Sequence, residues 1–246
     1  MFESNWHGYE AKPFLFEGRE AIVVFPKVAR EGKPWTLKTE YRTTLPDVEL
    51  RLLAEGFHAA FVTNENRWFT PDEIALKARF VRYVSETFGL SPKCVPVGMS
   101  CGGGYAVKLA GMYPELVQCM YIDAPVLNYC SVPGQIENKF IEGIWDSEFV
   151  KAYPGIQRWQ LPGFREHPIC FVPVLKENKI PIIMVWGRED QTVPYKDNGL
   201  LLEQALEGTG QLKVILVNGR GHYPHGLVDD NQPIVDFILE HCRSII

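Results

Sequence analysis

Several features that mark whole classes of protein are missing from this chain. It has no stripe of lysine and arginine: 25 basic residues face 30 acidic ones, for a formal charge of −5. Phosphate backbones are bound by clustered positive charge, so no nucleic-acid partner is expected. No apolar run approaches the roughly 20 residues that a spanning helix needs, so no membrane partner is expected either. The opening residues MFESNWHGYE lack a basic stretch followed by an apolar one. That is the pattern of a secretory leader, and the expected location without it is the cytoplasm. Six cysteines (Cys94, Cys101, Cys119, Cys130, Cys170 and Cys242) are scattered with no C-x-x-C pair. This speaks against a zinc site and a disulfide framework, and the thiols read as small apolar residues in a reducing compartment. Internal repeats and low-complexity segments are also missing.

What remains is an ordinary globular composition, with 46% hydrophobic and 22% charged residues in 246. That is enough for one sizeable core. Short β-branched runs alternate with longer amphipathic stretches, which predicts an α/β fold: a mostly parallel central sheet flanked by helices. Strands are expected at 21–25, 58–63, 94–99, 119–122, 180–186 and 212–217. Thr44 is placed to cap a helix that ends at Gly56. Thr70-Pro71-Asp72-Glu73 has the form of a capping box. After it Ile74, Ala78, Val81, Val84 and Phe88 form one apolar helical face ended by Gly89. Further helices are expected at 102–113 and 233–242. The alternation breaks from Val126 to Lys179, where Phe140, Trp145, Phe149, Tyr153, Trp159, Phe164 and Phe171 fall among prolines and glycines. This segment is expected to be an inserted helical cap (126–179) on a single core (1–125 and 180–246).

Gly98-Met99-Ser100-Cys101-Gly102 fits G-x-S-x-G, and it lies between an expected strand and an expected helix. A sharp strand-to-helix turn lifts a serine hydroxyl above the sheet, beside the free amides of a helix start. Glycines two residues either side let the chain pass close. Pro96 is out of place in such a strand, because it removes a ladder hydrogen bond, and it suggests a bulge. A serine hydroxyl also needs a base, which calls for a histidine held by a carboxylate. Two later strands are followed by Gly187-Arg188-Glu189-Asp190-Gln191-Thr192-Val193-Pro194 and by Asn218-Gly219-Arg220-Gly221-His222-Tyr223-Pro224-His225.

With these three turns in order, the chain resembles the α/β-hydrolase family from about Ala21 to its end. The segment 187–194 is similar to the family's G-x-x-D-x-x-V-P turn, and Gly221-His222 to its G-H turn. The resemblance implies Ser100 as nucleophile, Asp190 as acid and His222 as base, with no cofactor and no metal. His225 is the rival histidine, placed to line a pocket or brace the loop, and Asp123 the rival acid; Glu189 reads as a surface carboxylate. For the oxyanion, the amide of Cys101 is the first expected donor. The second is expected from the loop after the first central strand, at Lys27 or Val28, since Pro26 has no amide hydrogen. Trp35 is a candidate for the pocket mouth, where an indole would suit a sugar ring or an aromatic acid.

The expected activity is cleavage of a small or short-acyl carboxylic ester, with an ester of a carbohydrate among the candidates, through an acyl-enzyme. The Gly-x-Pro-Trp loop, the Asp-Ala-Pro-Val run at 123–126 and the Gly-His-x-Pro-His turn resemble bacterial hydrolases of poorly defined substrate. A peptidase of the oligopeptidase type uses the same triad, but it also needs a large gating domain for which this chain is short. A ligand-binding protein that keeps the fold without turnover is the third reading. The expected partner is a small-molecule ester; the sequence leaves the oligomeric state open.

Overall fold

Side-chain alternation along the strands decides which helices cover which face. In β7 (Met120–Asp123) and β8 (Ile182–Gly187), Met120, Ile122, Ile182, Met184 and Trp186 point to one side, and Tyr121, Ile183 and Val185 to the other. Both strands are buried along their whole length, as parallel strands covered on two faces are. The first side packs on α2 (Pro71–Phe88) and α3 (Cys101–Met112); the second packs on α1 (Pro46–Ala54) and α7 (Gln232–His241). These relations come from a computed structural model, which describes residues 2–134 and 143–243.

The remaining strands are β1 (Asn5–Trp6), β2 (Tyr9–Phe16), β3 (Arg19–Val24), β4 (Trp35–Lys38), β5 (His58–Val62), β6 (Val95–Met99) and β9 (Leu212–Val217). They join in one sheet of order β1-β2-β3-β5-β4-β6-β7-β8-β9. From β4 to β9 the strands are parallel, while β1, β2 and β3 are antiparallel. The mostly parallel sheet expected from the sequence is present. Pro96 does sit at a bulge: pairing of β6 with its neighbour steps from Cys94–Val117 to Val97–Tyr121, one residue more on the second strand. The missing amide falls where the ladder is already broken.

Three strands were not anticipated, the two-residue β1 and the longer β2 and β4. β2 carries Lys12 and Pro13, and β4 has only four residues, two of them polar. The caps also differ. Leu45, not Thr44, precedes α1, with a left-handed φ of 48° and no side-chain cap. Thr70 precedes α2, but its side chain makes no capping bond. Glu73 turns instead to Arg19 at 2.6 Å and to the hydroxyl of Tyr105 at 3.3 Å. An ion pair with a distant arginine outcompetes the local box.

Between β7 and β8 the described residues form no strand. A π-helical turn (Trp145–Phe149) runs into α4 (Val150–Ala152), two 3₁₀ turns follow, and α5 (Val172–Glu177) leads back to the sheet. Phe140 lies outside the described residues. Phe149 is fully buried against Trp68, with ring centres 5.6 Å apart, whereas Trp159 is 78% exposed. Buried Lys108 of α3 is paired with Glu166, and Arg67 with Glu148 at 2.6 Å, so ion pairs tie the segment to the sheet layer at two places. Among the described residues no helix is long and apolar enough to cross a membrane.

Burial, with Lys33 nearby, pushes the His58 imidazole down from 6.5 to about 4. The unfolded chain therefore takes up this proton at higher pH than the folded one. The contribution of His58 to stability is complete above pH 6.5 and is lost as the pH falls toward about 4. Urea unfolding across this range should give a flatter pH dependence for His58→Leu than for the natural chain.

Candidate active site

The parallel strands end on one edge of the sheet, and the loops beyond those ends meet there, as ligand-binding loops of such sheets do. Ser100 follows β6 directly and opens α3, with φ 54° and ψ −120°. A serine tolerates this region only under strain, which the surrounding bonds must hold. Its amide donates to the carbonyl of Asp123 at the end of β7, 2.8 Å away. Its own carbonyl accepts from Val126 at 3.0 Å and Gly103 at 3.0 Å. The turn is thus fixed by the neighbouring strand as well as by its helix.

Asp190 lies in the turn after β8, with its side chain wholly buried. Oδ1 accepts the amides of Thr192 at 2.9 Å and Val193 at 2.8 Å, which orients the carboxylate. Oδ2 accepts from Nδ1 of His222 at 2.8 Å. That bond places the ring proton on Nδ1, so Nε2 of the neutral ring accepts the Ser100 hydroxyl at 3.1 Å. The structure brings these three residues together as a continuous hydrogen-bonded chain.

Other expected positions fall elsewhere. Lys27 and Val28 follow β3, which runs antiparallel to β5, so its end lies at the edge opposite Ser100. Val28 is 81% exposed, and this loop packs beside Gly56, before β5 begins. Neither amide can reach an oxyanion at Ser100. Trp35 is also misplaced by the sequence reading. It starts β4, is fully buried, and its indole donates to the Ser91 carbonyl at 2.9 Å. It is a core residue at the far end of the sheet. Asp123 does not touch His222; its carboxylate holds Arg220 at 2.7 Å and His225 at 3.2 Å. Glu189 is exposed.

The loop that does reach Ser100 leaves the end of β4. Thr39 Oγ1 donates to the carbonyl of Gly102 at 2.7 Å, and Tyr41 lines the same cavity as Ser100 and Cys101. This cavity, about 300 Å³, is also bounded by Arg67, Trp68, Val126, Val132, Ile144, Val193 and His222, and by Thr44, Tyr223 and His225. The sequence reading missed Tyr41, Arg67 and Trp68 as lining residues. Arg67 and Trp68 follow β5, and the rule that ligands sit beyond the carboxyl ends of parallel strands would have pointed to them. Burial pushes the Cys101 thiol up to about 11, so beside Ser100 it stays protonated at neutral pH.

No family model and no curated protein matches the sequence. Solved structures do match. The acylaminoacyl peptidase of Pyrococcus horikoshii superposes with a TM-score of 0.70 at 13% identity, over 87% of this chain and 38% of that one. A puromycin hydrolase gives 0.69 at 16% identity, over 94% and 37%. The chain thus spans little more than a third of these two proteins. Est1E from Butyrivibrio proteoclasticus gives 0.67 at 16% identity, over 94% of this chain and 98% of its own. The fold is that of the α/β-hydrolases.

The close passage at the serine turn makes a sharp prediction. A methyl group on Gly98 would collide with the Gly102 carbonyl and lie 2.6 Å from Thr39 Oγ1, whereas one on Gly221 would meet nothing nearer than 4.0 Å. Gly98→Ala should cost about 1–3 kcal/mol or more in thermal unfolding, and Gly221→Ala less than about 0.5 kcal/mol.

Proposed function

We propose that the protein is a serine hydrolase that cleaves a small carboxylic ester through an acyl-enzyme. The observation that carries this reading is the hydrogen-bonded chain from Ser100 Oγ through His222 to Asp190, at 3.1 and 2.8 Å. A hydroxyl within hydrogen-bond reach of a histidine that a buried carboxylate orients is equipped for nucleophilic attack.

In the proposed reaction Ser100 Oγ attacks the ester carbonyl while its proton passes to His222 Nε2. Asp190 stabilises the imidazolium that results. The oxyanion lies against the start of α3, where the amide of Cys101 donates. We assign the second donor to Tyr41, in the turn after β4. The Tyr41 amide now rests on the Glu40 carboxylate at a long 3.2 Å, a contact an oxyanion can displace. His222 Nε2–H then protonates the leaving alcohol. Water, deprotonated by His222, attacks the acyl group and returns Ser100. Apolar Val126, Val132, Ile144 and Val193 suit a short acyl chain in a cavity of this size. On this reading the substrate is the partner of the site, and the segment between β7 and β8 is a cap over it.

The peptidase and puromycin hydrolase likenesses keep amide cleavage as the second reading. Purified protein should hydrolyse 4-nitrophenyl acetate faster than aminoacyl 4-nitroanilides, and a fluorophosphonate probe should label it. Ser100→Ala should abolish labelling and lower kcat/KM by about 10⁴-fold or more; Asp190→Asn should lower kcat by about 10⁴-fold. Equal labelling of the natural chain and Ser100→Ala would refute the proposal. Faster cleavage of the nitroanilides would move the assignment to the amide.

A further inference from the structure

Three residues from the loop carrying His222 converge on a second buried carboxylate. Asp123 is fully buried and accepts five hydrogen bonds. Arg220 donates to Oδ1 at 2.7 Å and to Oδ2 at 3.1 Å. The amide of Gly226 at 2.6 Å and the hydroxyl of Tyr121 at 3.0 Å complete Oδ2. His225 Nδ1 lies 3.2 Å from Oδ1. Burial alone would raise the Asp123 carboxyl, but the bond from His225 and the charge of Arg220 hold it below the usual carboxylate range. An ionised carboxylate only accepts, so His225 Nδ1 must be the donor. In the neutral ring this leaves Nε2 as a bare lone pair.

The position of that lone pair gives it a use. His225 lines the same cavity as Ser100 and His222, and its ring centre is 5.1 Å from that of His222. No described residue bonds Nε2. Among the described residues, the buried polar atoms without a partner are Thr36 Oγ1, Glu49 Oε2, His58 Nδ1, Asn64 Oδ1 and Arg220 Nε; His225 Nε2 is not among them, and His225 is a wall residue of the cavity. The same cavity is lined by two hydroxyl-bearing residues, Thr44 and Tyr223, whose Oγ1 and OH are 3.4 Å apart. The Tyr223 ring packs edgewise on His225, with centres 4.8 Å apart, and is 64% exposed. An acceptor nitrogen, two groups that both donate and accept, and an open aromatic face make a surface suited to neighbouring hydroxyls on a carbon skeleton.

We propose that His225, oriented by Asp123, binds a hydroxyl of the substrate, so that the ester cleaved is an ester of a polyhydroxy alcohol. This rests on the hydrolase reading of Ser100 and names its substrate class. The substrate O–H donates to His225 Nε2, and Thr44 and Tyr223 bind a second hydroxyl. An alkyl ester of the same size would bury Nε2 with nothing to bond, which is how polar sites reject analogues that lack a hydroxyl.

The test compares 2-hydroxyethyl acetate with propyl acetate, two esters of equal heavy-atom count. The natural chain should favour the hydroxylated ester by about tenfold or more in kcat/KM. His225→Phe should bring the ratio close to one, and His225→Gln, which restores an acceptor, should recover part of it. Equal rates with the natural chain, or an undiminished ratio in His225→Phe, would overturn the proposal while hydrolysis of 4-nitrophenyl acetate still upheld the esterase reading. A readout free of turnover is nitrogen NMR of Ser100→Ala. The His225 Nε2 resonance should move on titration with 2-hydroxyethyl acetate and stay fixed with propyl acetate. No movement with either ester would overturn the proposal whatever the chain hydrolyses.

Discussion

Asp123 holds both sides of the site. Its carbonyl takes the amide of Ser100 at 2.8 Å, which pins the strained serine turn to the adjacent strand. Its carboxylate takes Arg220, His225 and Gly226, which flank His222 in the loop after β9. One residue at the end of β7 therefore ties the hydroxyl-bearing turn to the imidazole-bearing loop. The two come from positions 122 residues apart, and their 3.1 Å contact depends on this common anchor. The parallel register supplies the rest: β6, β7, β8 and β9 end side by side, so their following loops share one edge.

Much of this was legible in the sequence because it rests on local patterns. Buried strands have continuous apolar runs, α2 has its period, and the three turns bearing Ser100, Asp190 and His222 each follow a strand. The oxyanion loop was not legible. Trp35-Thr36-Leu37-Lys38 is too short and too polar to announce a central strand, and without β4 the first strong run, at Ala21, took its place. That run is β3, whose direction is reversed, and the error carried Lys27 and Val28 to the wrong edge. Trp35 followed from the same mistake, since a residue read as loop is a residue of β4 packed inside the core. The caps failed for another reason. Thr44, Thr70 and Glu73 have local options in the chain, but long-range partners decide: Tyr223 for Thr44 and Arg19 for Glu73.

The segment between β7 and β8 is positioned by charge as well as by aromatic packing. Lys108–Glu166 and Arg67–Glu148 are each partly or wholly withdrawn from water. Desolvation consumes most of the Coulombic gain of such pairs, so they add little net stability. Their effect is on register. Arg67 meets Glu148 through two nitrogens, at 2.6 Å each, and Trp68 donates to the same carboxylate at 3.2 Å. A fork of this kind permits one placement of the chain near Glu148, and therefore one placement of Ile144 at the cavity wall.

The two carboxylate–histidine pairs show why residue type alone does not assign a role. In both, a buried aspartate faces Nδ1, at 2.8 Å for Asp190–His222 and 3.2 Å for Asp123–His225. Their other partners differ. Asp190 is completed by two backbone amides, which orient it without cancelling its charge. Asp123 is completed by a guanidinium, which does cancel it. A carboxylate that keeps its charge supports a positive imidazole beside it, as a proton-accepting base requires. A neutralised carboxylate mainly fixes the tautomer and aim of its ring, as a hydrogen-bond acceptor requires. On the proposed reading, the position of Arg220 separates the base that moves a proton from the histidine that recognises a hydroxyl.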